Sequence, residues 1–202
     1  MQTLQQLLQL TINKKDGGWN AEKFKVSTYK MCCHHIAQRA WTVRHSSSRK
    51  NVIMTDEITY RQVEETDASL IVSVDESRYG LGKALSIFYV KDCCKLYNET
   101  FFVATVKDRI IGFCIGLSSK SKETGWISAV TVSEDYKGNG IGENLVKNVC
   151  EKLKNAGCSA VSLTAEPNLV AYYEKLSFVR ISEELKNYYG EGEHRFILRK
   201  TF

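Results

Sequence analysis

Two hydrophobic periods divide residues 58–202 into predicted strands and helices. Short alternating or continuous apolar runs, rich in β-branched and aromatic residues, predict strands. In this chain the predicted strands cover residues 58–63, 100–106, 110–117, 126–132, 160–164, 178–181 and 195–199. An apolar residue recurs at every fourth position from Ile141 to Leu153, which predicts a helix that Gly157 ends.

Two further helical regions complete the pattern. One covers residues 68–97, begins after a capping Thr66-Asp67 pair and is interrupted near residues 79–82. The other covers residues 167–176 and opens on Pro167. The predicted order is β-α-α-β-β-β-α-β-α-β-β, with an antiparallel hairpin at 100–117 and a parallel strand–helix–strand unit at 126–164. We therefore predict an α/β (α+β) domain over residues 56–202.

Charge separates the first quarter of the chain from the rest. The 202 residues carry a formal net charge of +5. Residues 1–55 hold nine lysine or arginine residues and two acids, a net +7, so residues 56–202 carry −2. A domain without a basic stripe predicts no nucleic-acid partner. The longest apolar run, 110–117, falls well short of the roughly 20 residues that a membrane span needs.

Residues 1–55 form a basic extension that we expect to be poorly ordered. Residues 31–50 contain arginine and serine but no acid, which is also typical of a mitochondrial transit peptide. Met54 is an alternative start, and residues 1–10 lack the unbroken apolar core and basic flank of a secretory signal. We predict a cytoplasmic protein, or a mitochondrial one if residues 1–50 are a transit peptide.

The seven cysteines predict a reduced, intracellular protein without a metal site. Their number is odd, two pairs are adjacent in sequence, and the others fall in apolar segments. The run Cys32-Cys33-His34-His35 contains zinc-binding residue types. Zinc ligands usually come in two spaced pairs, however, and no second pair follows.

Three glycines, Gly138, Gly140 and Gly142, alternate where a strand passes into the long helix. Glycine lets the backbone approach a ligand closely, and a helix N-terminus adds free N–H donors and partial positive charge. Such a turn suits a pyrophosphate. It is not a P-loop, because no Lys-Ser or Lys-Thr follows the glycines. A dinucleotide fingerprint would place the third glycine one residue later. A purely structural turn remains an alternative.

This turn resembles the acyl-CoA-binding motif of the GNAT superfamily of N-acetyltransferases, (Arg/Gln)-x-x-Gly-x-(Gly/Ala), with Lys137 where Arg or Gln is usual. A second segment, AYYEKLSF at residues 171–178, resembles the family's FYEKLGF segment, with Ser177 in place of glycine. The resemblance covers roughly residues 58–200. It implies a mixed, twisted sheet of antiparallel strands followed by a splayed parallel pair, flanked by about four helices.

The resemblance implies an acetyl-CoA-dependent enzyme that moves an acetyl group to a primary amine by direct attack. The backbone of Val130 and Val132 would bind the pantetheine arm. The pyrophosphate would lie on the glycine turn, formed by Lys137, Gly138, Asn139, Gly140, Ile141 and Gly142. Tyr173 would protonate the leaving thiolate, since a phenol with a pKa of about 10 carries its proton at neutral pH. A catalytically silent CoA-binding regulatory domain is an alternative.

The general base is the least defined part of this prediction. The histone-acetyltransferase branch carries a glutamate on its fourth strand where this chain has Trp126. Glu134 is our candidate, with Glu166 or a water relay as alternatives. Neutralising a lysine at pH 7 costs roughly 4–5 kcal/mol, against roughly 1–1.4 kcal/mol for an α-amine. The lack of an obvious base therefore favours an α-amine as acceptor.

The segment LKNYYGEGEHRFILRK, residues 185–200, is similar to a hairpin of the ribosomal-protein and protein N-terminal acetyltransferase branch. In that branch tyrosines close over the substrate peptide, a role that falls here to Tyr188 and Tyr189. Two features depart from the branch: Glu193-His194 replaces Glu-Asp, and residues 78–80 lack its proline. We expect a peptide N-terminus as acceptor, with a small-molecule amine or amino sugar as the alternative.

Overall fold

The computed structural model describes residues 57–118 and 123–202, so the extension predicted for residues 1–55 lies outside the described part. The strands are β1 Thr59–Gln62, β2 Phe101–Val106, β3 Arg109–Ser118, β4 Thr124–Val132, β5 Ala160–Ala165, β6 Val179–Arg180 and β7 Phe196–Thr201. The helices are α1 Ala68–Tyr79, α2 Ile87–Leu96, α3 Ile141–Asn155 and α4 Val170–Lys175. The predicted elements are confirmed in their predicted order.

The strands form one seven-stranded sheet in the order β1-β2-β3-β4-β5-β7-β6. Strands β1 to β4 are antiparallel, and β7 lies antiparallel to both β5 and β6. Strands β4 and β5 are parallel, but they pair only between Thr124–Ile127 and Ala160–Leu163. Beyond Ile127, β4 continues to Val132 without β5 beside it. The mixed sheet with a splayed parallel pair is therefore confirmed.

A β-bulge at Ser128 marks the point where β4 leaves β5. Ile115 of β3 pairs with Ala129 and Gly116 pairs with Ile127, which leaves Ser128 as the extra residue. One extra residue reverses the alternation of side chains between the two faces of the sheet. As a result, Val130 packs on the same core cluster as Ile127. The splayed half of β4 thereby keeps its apolar side chains against the sheet's larger core.

Helices cover both faces of the sheet. Helices α3 and α4 bury one cluster with Phe178 and Leu198, and α1 and α2 bury another with Ile71 and Phe113. The four-residue apolar repeat predicted for α3 is fully buried in the first cluster. The five cysteines within residues 57–118 and 123–202 are buried and form no disulfide.

The boundaries of several elements differ from the sequence prediction, among them those of α4 and β6. Pro167–Leu169 form a 3₁₀ turn, and α4 begins only at Val170. Proline lacks an N–H donor and has a fixed φ, so it suits the turn that leads into the helix rather than the helix interior. Strand β6 is shorter than predicted and covers Val179–Arg180, and the Ile181 N–H beyond it still donates to the Ile197 carbonyl of β7 at 2.9 Å.

A buried carboxylate joins β1 to the start of α1. Asp67 is 6% exposed and accepts two hydrogen bonds from the Arg61 guanidinium, at 2.7 and 2.9 Å. It also accepts one from the Glu64 N–H at 2.8 Å. Burial alone would raise the pKa of Asp67, but the hydrogen bonds from Arg61 and Glu64 outweigh it and hold the pKa below its usual value.

We predict that Asp67→Asn lowers the free energy of unfolding by about 1–3 kcal/mol at pH 7, because Arg61 loses a charged partner. A carboxyl whose folded-state pKa is lowered contributes stability above its unfolded pKa of about 3.9, and this is lost as the pH falls through the folded value. The difference in unfolding free energy between wild type and variant, measured with urea, should therefore shrink as the pH falls below about 4 and vanish only below the folded-state pKa of Asp67. Asp92→Asn, at an exposed position of α2, is the control. A difference independent of pH would contradict the assignment.

Candidate active site

The backbone of β4 presents unpaired polar groups to the gap between β4 and β5. The N–H of Ser133 donates to the carbonyl of Ile111 in β3 at 2.8 Å. Backbone groups alternate in direction along a strand, so those of Val132 and Val130 point away from β3. On that side β5 has already diverged. The structure thus places the backbone of both predicted valines at the edge of the gap.

The glycine turn supplies a row of free donors at the end of β4. Gly138 and Gly140 have φ values of +80° and +73°, a conformation that favours glycine. The first hydrogen bond of α3 runs from the Asn144 N–H to the Gly140 carbonyl at 3.0 Å. The backbone N–H groups from Gly138 to Glu143 have no acceptor among the described residues. Such a row at a helix N-terminus is suited to an anion.

Charged side chains surround this turn. The ammonium of Lys137 lies 2.5 Å from the Glu134 carboxylate, and the guanidinium of Arg78, at the end of α1, lies 3.7 Å from it. The hydrogen bond from Lys137 lowers the pKa of Glu134, whose side chain is 73% exposed. A carboxylate with a lowered pKa is a weaker base. The role of Glu134 as general base stays a prediction, and these contacts do not favour it.

Tyr173 lies on α4 with its ring buried and its hydroxyl free. The ring packs edge-on against Tyr172, with centroids 5.0 Å apart, and against Phe178 at 5.9 Å. Its hydroxyl has no hydrogen-bond partner in the described part of the chain. Every side-chain oxygen there that is sealed from solvent has a hydrogen-bond partner. The Tyr173 hydroxyl has none among these residues, so solvent reaches it. Burial raises the pKa of Tyr173. The phenol therefore keeps its proton at neutral pH.

Two further groups interact electrostatically with Tyr173. Tyr79 at the end of α1 and Glu166 after β5 are both near enough for their charge to raise its pKa further. The Glu166 carboxylate lies 3.7 Å from the guanidinium of Arg195. Sequence reasoning missed Tyr79, because its only signal is a position just before the helix break at Gly80.

The loop between β6 and β7 brings aromatic side chains to the β5 side of the gap. The rings of Tyr188 and Tyr189 meet at right angles, with centroids 4.7 Å apart. The Tyr189 hydroxyl lies 3.1 Å from Oγ1 of Thr164, a β5 residue beyond the parallel pairing. The Arg195 guanidinium lies over the Tyr189 ring at 5.2 Å. The predicted acceptor-side tyrosines therefore stand beside the splayed end of β5.

A salt bridge joins this loop to the connection between α1 and α2. The ammonium of Lys83 donates to Glu193 at 3.1 Å, and Glu193 also accepts from Arg195 at 2.9 Å. The two loops thus touch through the Glu193 carboxylate. Neither Lys83 nor its contact could be found from the sequence, since the partners are far apart in the chain and belong to no motif.

The described residues hold no sign of a metal centre or a membrane span. Within residues 57–118 and 123–202, no group of three His, Cys, Asp or Glu side chains could hold a metal ion. No helix in these two ranges combines the length and the hydropathy that crossing a bilayer requires.

Comparison with known proteins identifies the family. The model of the acetyltransferase (GNAT) family matches residues 65–178, and the chain belongs to this family. An Arabidopsis thaliana protein named N-alpha-acetyltransferase MAK3 is 29% identical over 127 residues, covering 60% of this chain and 66% of that relative. A Saccharolobus solfataricus N-alpha-acetyltransferase is 24% identical, covering 71% and 93%.

A solved structure has the same fold. A chain of the NatC complex, crystallised with Gag peptide and CoA, superposes with a TM-score of 0.64 at 21% identity. The superposition covers 72% of this chain and 99% of that chain. Family and geometry together define an N-acetyltransferase that uses acetyl-CoA as its co-substrate.

We predict that Glu134→Gln tightens CoA binding severalfold, because an exposed carboxylate no longer competes with the pyrophosphate for Lys137. Calorimetric titration with CoA measures the affinity. If Glu134 were the general base, kcat would instead fall by about 10²–10⁴-fold. Glu151→Gln, at an exposed position farther along α3, is the matched control. A large loss of kcat confined to Glu134→Gln would restore its catalytic role.

Proposed function

We propose that this acetyltransferase modifies the N-terminal amine of a protein or peptide. The observation that carries the proposal is the Lys83–Glu193 bridge, which joins the loop before α2 to the loop that carries Tyr188 and Tyr189. If these loops flank the acceptor, the bridge would narrow its approach to the thioester, which suits the end of an extended chain. The names of the two relatives, both N-alpha-acetyltransferases, support the same class of acceptor.

The acetyl-CoA would lie along the edge that β5 leaves open. Backbone groups of Val130 and Val132 face that edge and would bind the pantetheine amides as an adjoining strand would. The free N–H groups between Gly138 and Glu143 would take the pyrophosphate, with Lys137 as a point charge beside them. A backbone N–H of the 130–132 stretch is our candidate for the oxyanion donor.

The reaction is a direct transfer. The neutral amine attacks the thioester carbonyl carbon, a C–N bond forms, and the carbonyl oxygen becomes an oxyanion. Collapse breaks the C–S bond, and the CoA thiolate takes the phenolic proton of Tyr173. The amide nitrogen loses its extra proton to a base or to water. The ammonium of Lys137 hydrogen-bonds the Glu134 carboxylate, so Glu166 is our preferred candidate for this last step, directly or through a water.

We predict that Tyr173→Phe lowers kcat by about 10²–10⁴-fold, because the leaving thiolate loses its proton donor. The affinity for CoA should stay unchanged, since the ring and its packing remain. Burial raises the pKa of Tyr173, so the wild-type rate should not fall from loss of this acid at mildly alkaline pH. Tyr172→Phe, the adjacent tyrosine, is the matched control. Equal effects of the two variants would remove Tyr173 as the general acid.

We predict thiol release from acetyl-CoA with peptides that have a free N-terminus. The panel also contains lysine peptides with a blocked N-terminus, a polyamine and glucosamine 6-phosphate. Activity with small amines alone would replace the proposal by the small-molecule alternative. CoA binding without release on any acceptor would favour a silent regulatory domain. Mass spectrometry of the product peptide locates the acetyl group and separates α-amine from side-chain transfer.

A further inference from the structure

We propose that Asp75 is a positioning residue that sets the place of the acceptor-side loop 80–86 relative to β4. It would act by holding the loop and the strand with one carboxyl group. The inference rests on the proposed function, because it assigns the loop to the acceptor and the strand to the acyl donor. Asp75 belongs to neither motif from which the family was inferred.

The geometry of Asp75 points to this role. Its residue is 3% exposed on the inner side of α1. One carboxyl oxygen accepts from the Leu85 N–H at 2.8 Å, and the other accepts from Oγ1 of Thr131 at 2.7 Å. No lysine, arginine or histidine of residues 57–118 and 123–202 forms an ion pair with it. A buried carboxyl group that lacks a cation partner depends on its hydrogen bonds.

The two partners of Asp75 lie at functionally different places. Leu85 is the second-last residue of the loop and precedes Ser86, whose hydroxyl caps α2 by accepting from the Phe88 N–H at 3.3 Å. Lys83, two residues before Leu85, forms the salt bridge to Glu193. Thr131 is 3% exposed and lies between the two valines whose backbone faces the gap. Asp75 therefore connects the acceptor-side loop directly to the strand that would carry the acyl donor.

A second contact fixes α2 on the same strand. It allows an effect on loop 80–86 to be distinguished from an effect on the acyl-CoA site. The Tyr89 hydroxyl of α2 lies 2.5 Å from Oγ of Ser128, the bulge residue. With this contact intact, α2 keeps its position on β4 even if loop 80–86 moves. Loss of the Leu85 hydrogen bond should therefore displace the loop, and with it the acceptor, more than it displaces the acyl-CoA site.

The test compares Asp75→Ala with Asp75→Asn in the full chain. Alanine removes both hydrogen bonds. Asparagine can restore both, since its oxygen can accept from Leu85 and its amide can donate to the Thr131 hydroxyl, which donates or accepts. We expect Asp75→Ala to raise the KM for a peptide acceptor about tenfold, equivalent to about 1.4 kcal/mol. Asp75→Asn should remain near wild type. CoA affinity, by calorimetry, should hardly change in either.

Further variants keep the proposal falsifiable. If Asp75→Ala does not fold, Asp75→Glu takes its place in the test. It retains the carboxyl group but displaces the oxygens by about 1.5 Å, one C–C bond, so it should raise the peptide KM in the same way. Thr131→Val removes only the strand contact. The carboxyl group then still holds the loop but no longer connects it to β4, so the peptide KM should rise, by less than in Asp75→Ala. Ser73→Ala, whose hydroxyl bonds only within α1, is the matched control.

Two outcomes would overturn the inference. One is a lower melting temperature with an unchanged peptide KM, which would make Asp75 merely structural. The other is an equal loss of CoA affinity, which would place its effect on β4. Failure of the proposed function is separate: wild type would then acetylate no peptide. The same comparison would then be made with whichever amine the wild type does acetylate. Asp75→Ala should again raise the KM for the acceptor and leave the affinity for CoA nearly unchanged.

Discussion

The site depends on one constraint: β4 continues past the last residue that β5 pairs with. Backbone N–H and C=O groups need partners, and a strand edge without a neighbour offers them to another chain or a ligand. Here the parallel pairing stops at Ile127 and the free edge extends to Val132. The glycine turn continues this edge with further unbonded N–H groups. An extended molecule with amides at one end and a pyrophosphate at the other matches that sequence of donors and acceptors.

An unpaired edge needs support from its faces, and the structure provides it on both sides. The bulge at Ser128 turns the apolar side chains of the splayed half toward α3 and α4, which bury them. On the other face, the hydroxyls of Ser128 and Thr131 bond to Tyr89 and Asp75. These polar contacts fix the strand without occupying its backbone edge. Asp75 and Tyr89 belong to α1 and α2, and the loop between these two helices reaches Glu193. Support of β4 and placement of this loop are therefore physically linked.

Local signals allowed much of the fold to be predicted from the sequence. The apolar repeat of α3 and the glycines before it are properties of adjacent residues, and the structure places both as expected. The features that were missed depend on residues distant in the chain. The Lys83–Glu193 bridge spans 110 positions and the Asp75–Thr131 bond spans 56. Neither has a local pattern, because the fold alone brings the partners together. The bulge has a weak signal: the apolar alternation changes phase between Ile127 and Val130.

The charges around the site restrict the acceptor amine. Glu134 is held by Lys137 and Arg78, and Glu166 lies beside Arg195, so both candidate carboxylates already have cationic partners. A carboxylate that is paired with a cation is poorly placed to take a proton from an ammonium ion. The acceptor must then arrive largely neutral. At pH 7.5, with reference pKa values of about 7.7–8.0 and 10.4, about a third of an α-amine is neutral but only about 0.1% of a lysine side chain. The charges of the site therefore support the proposed acceptor, the N-terminus of a peptide chain, over a lysine side chain.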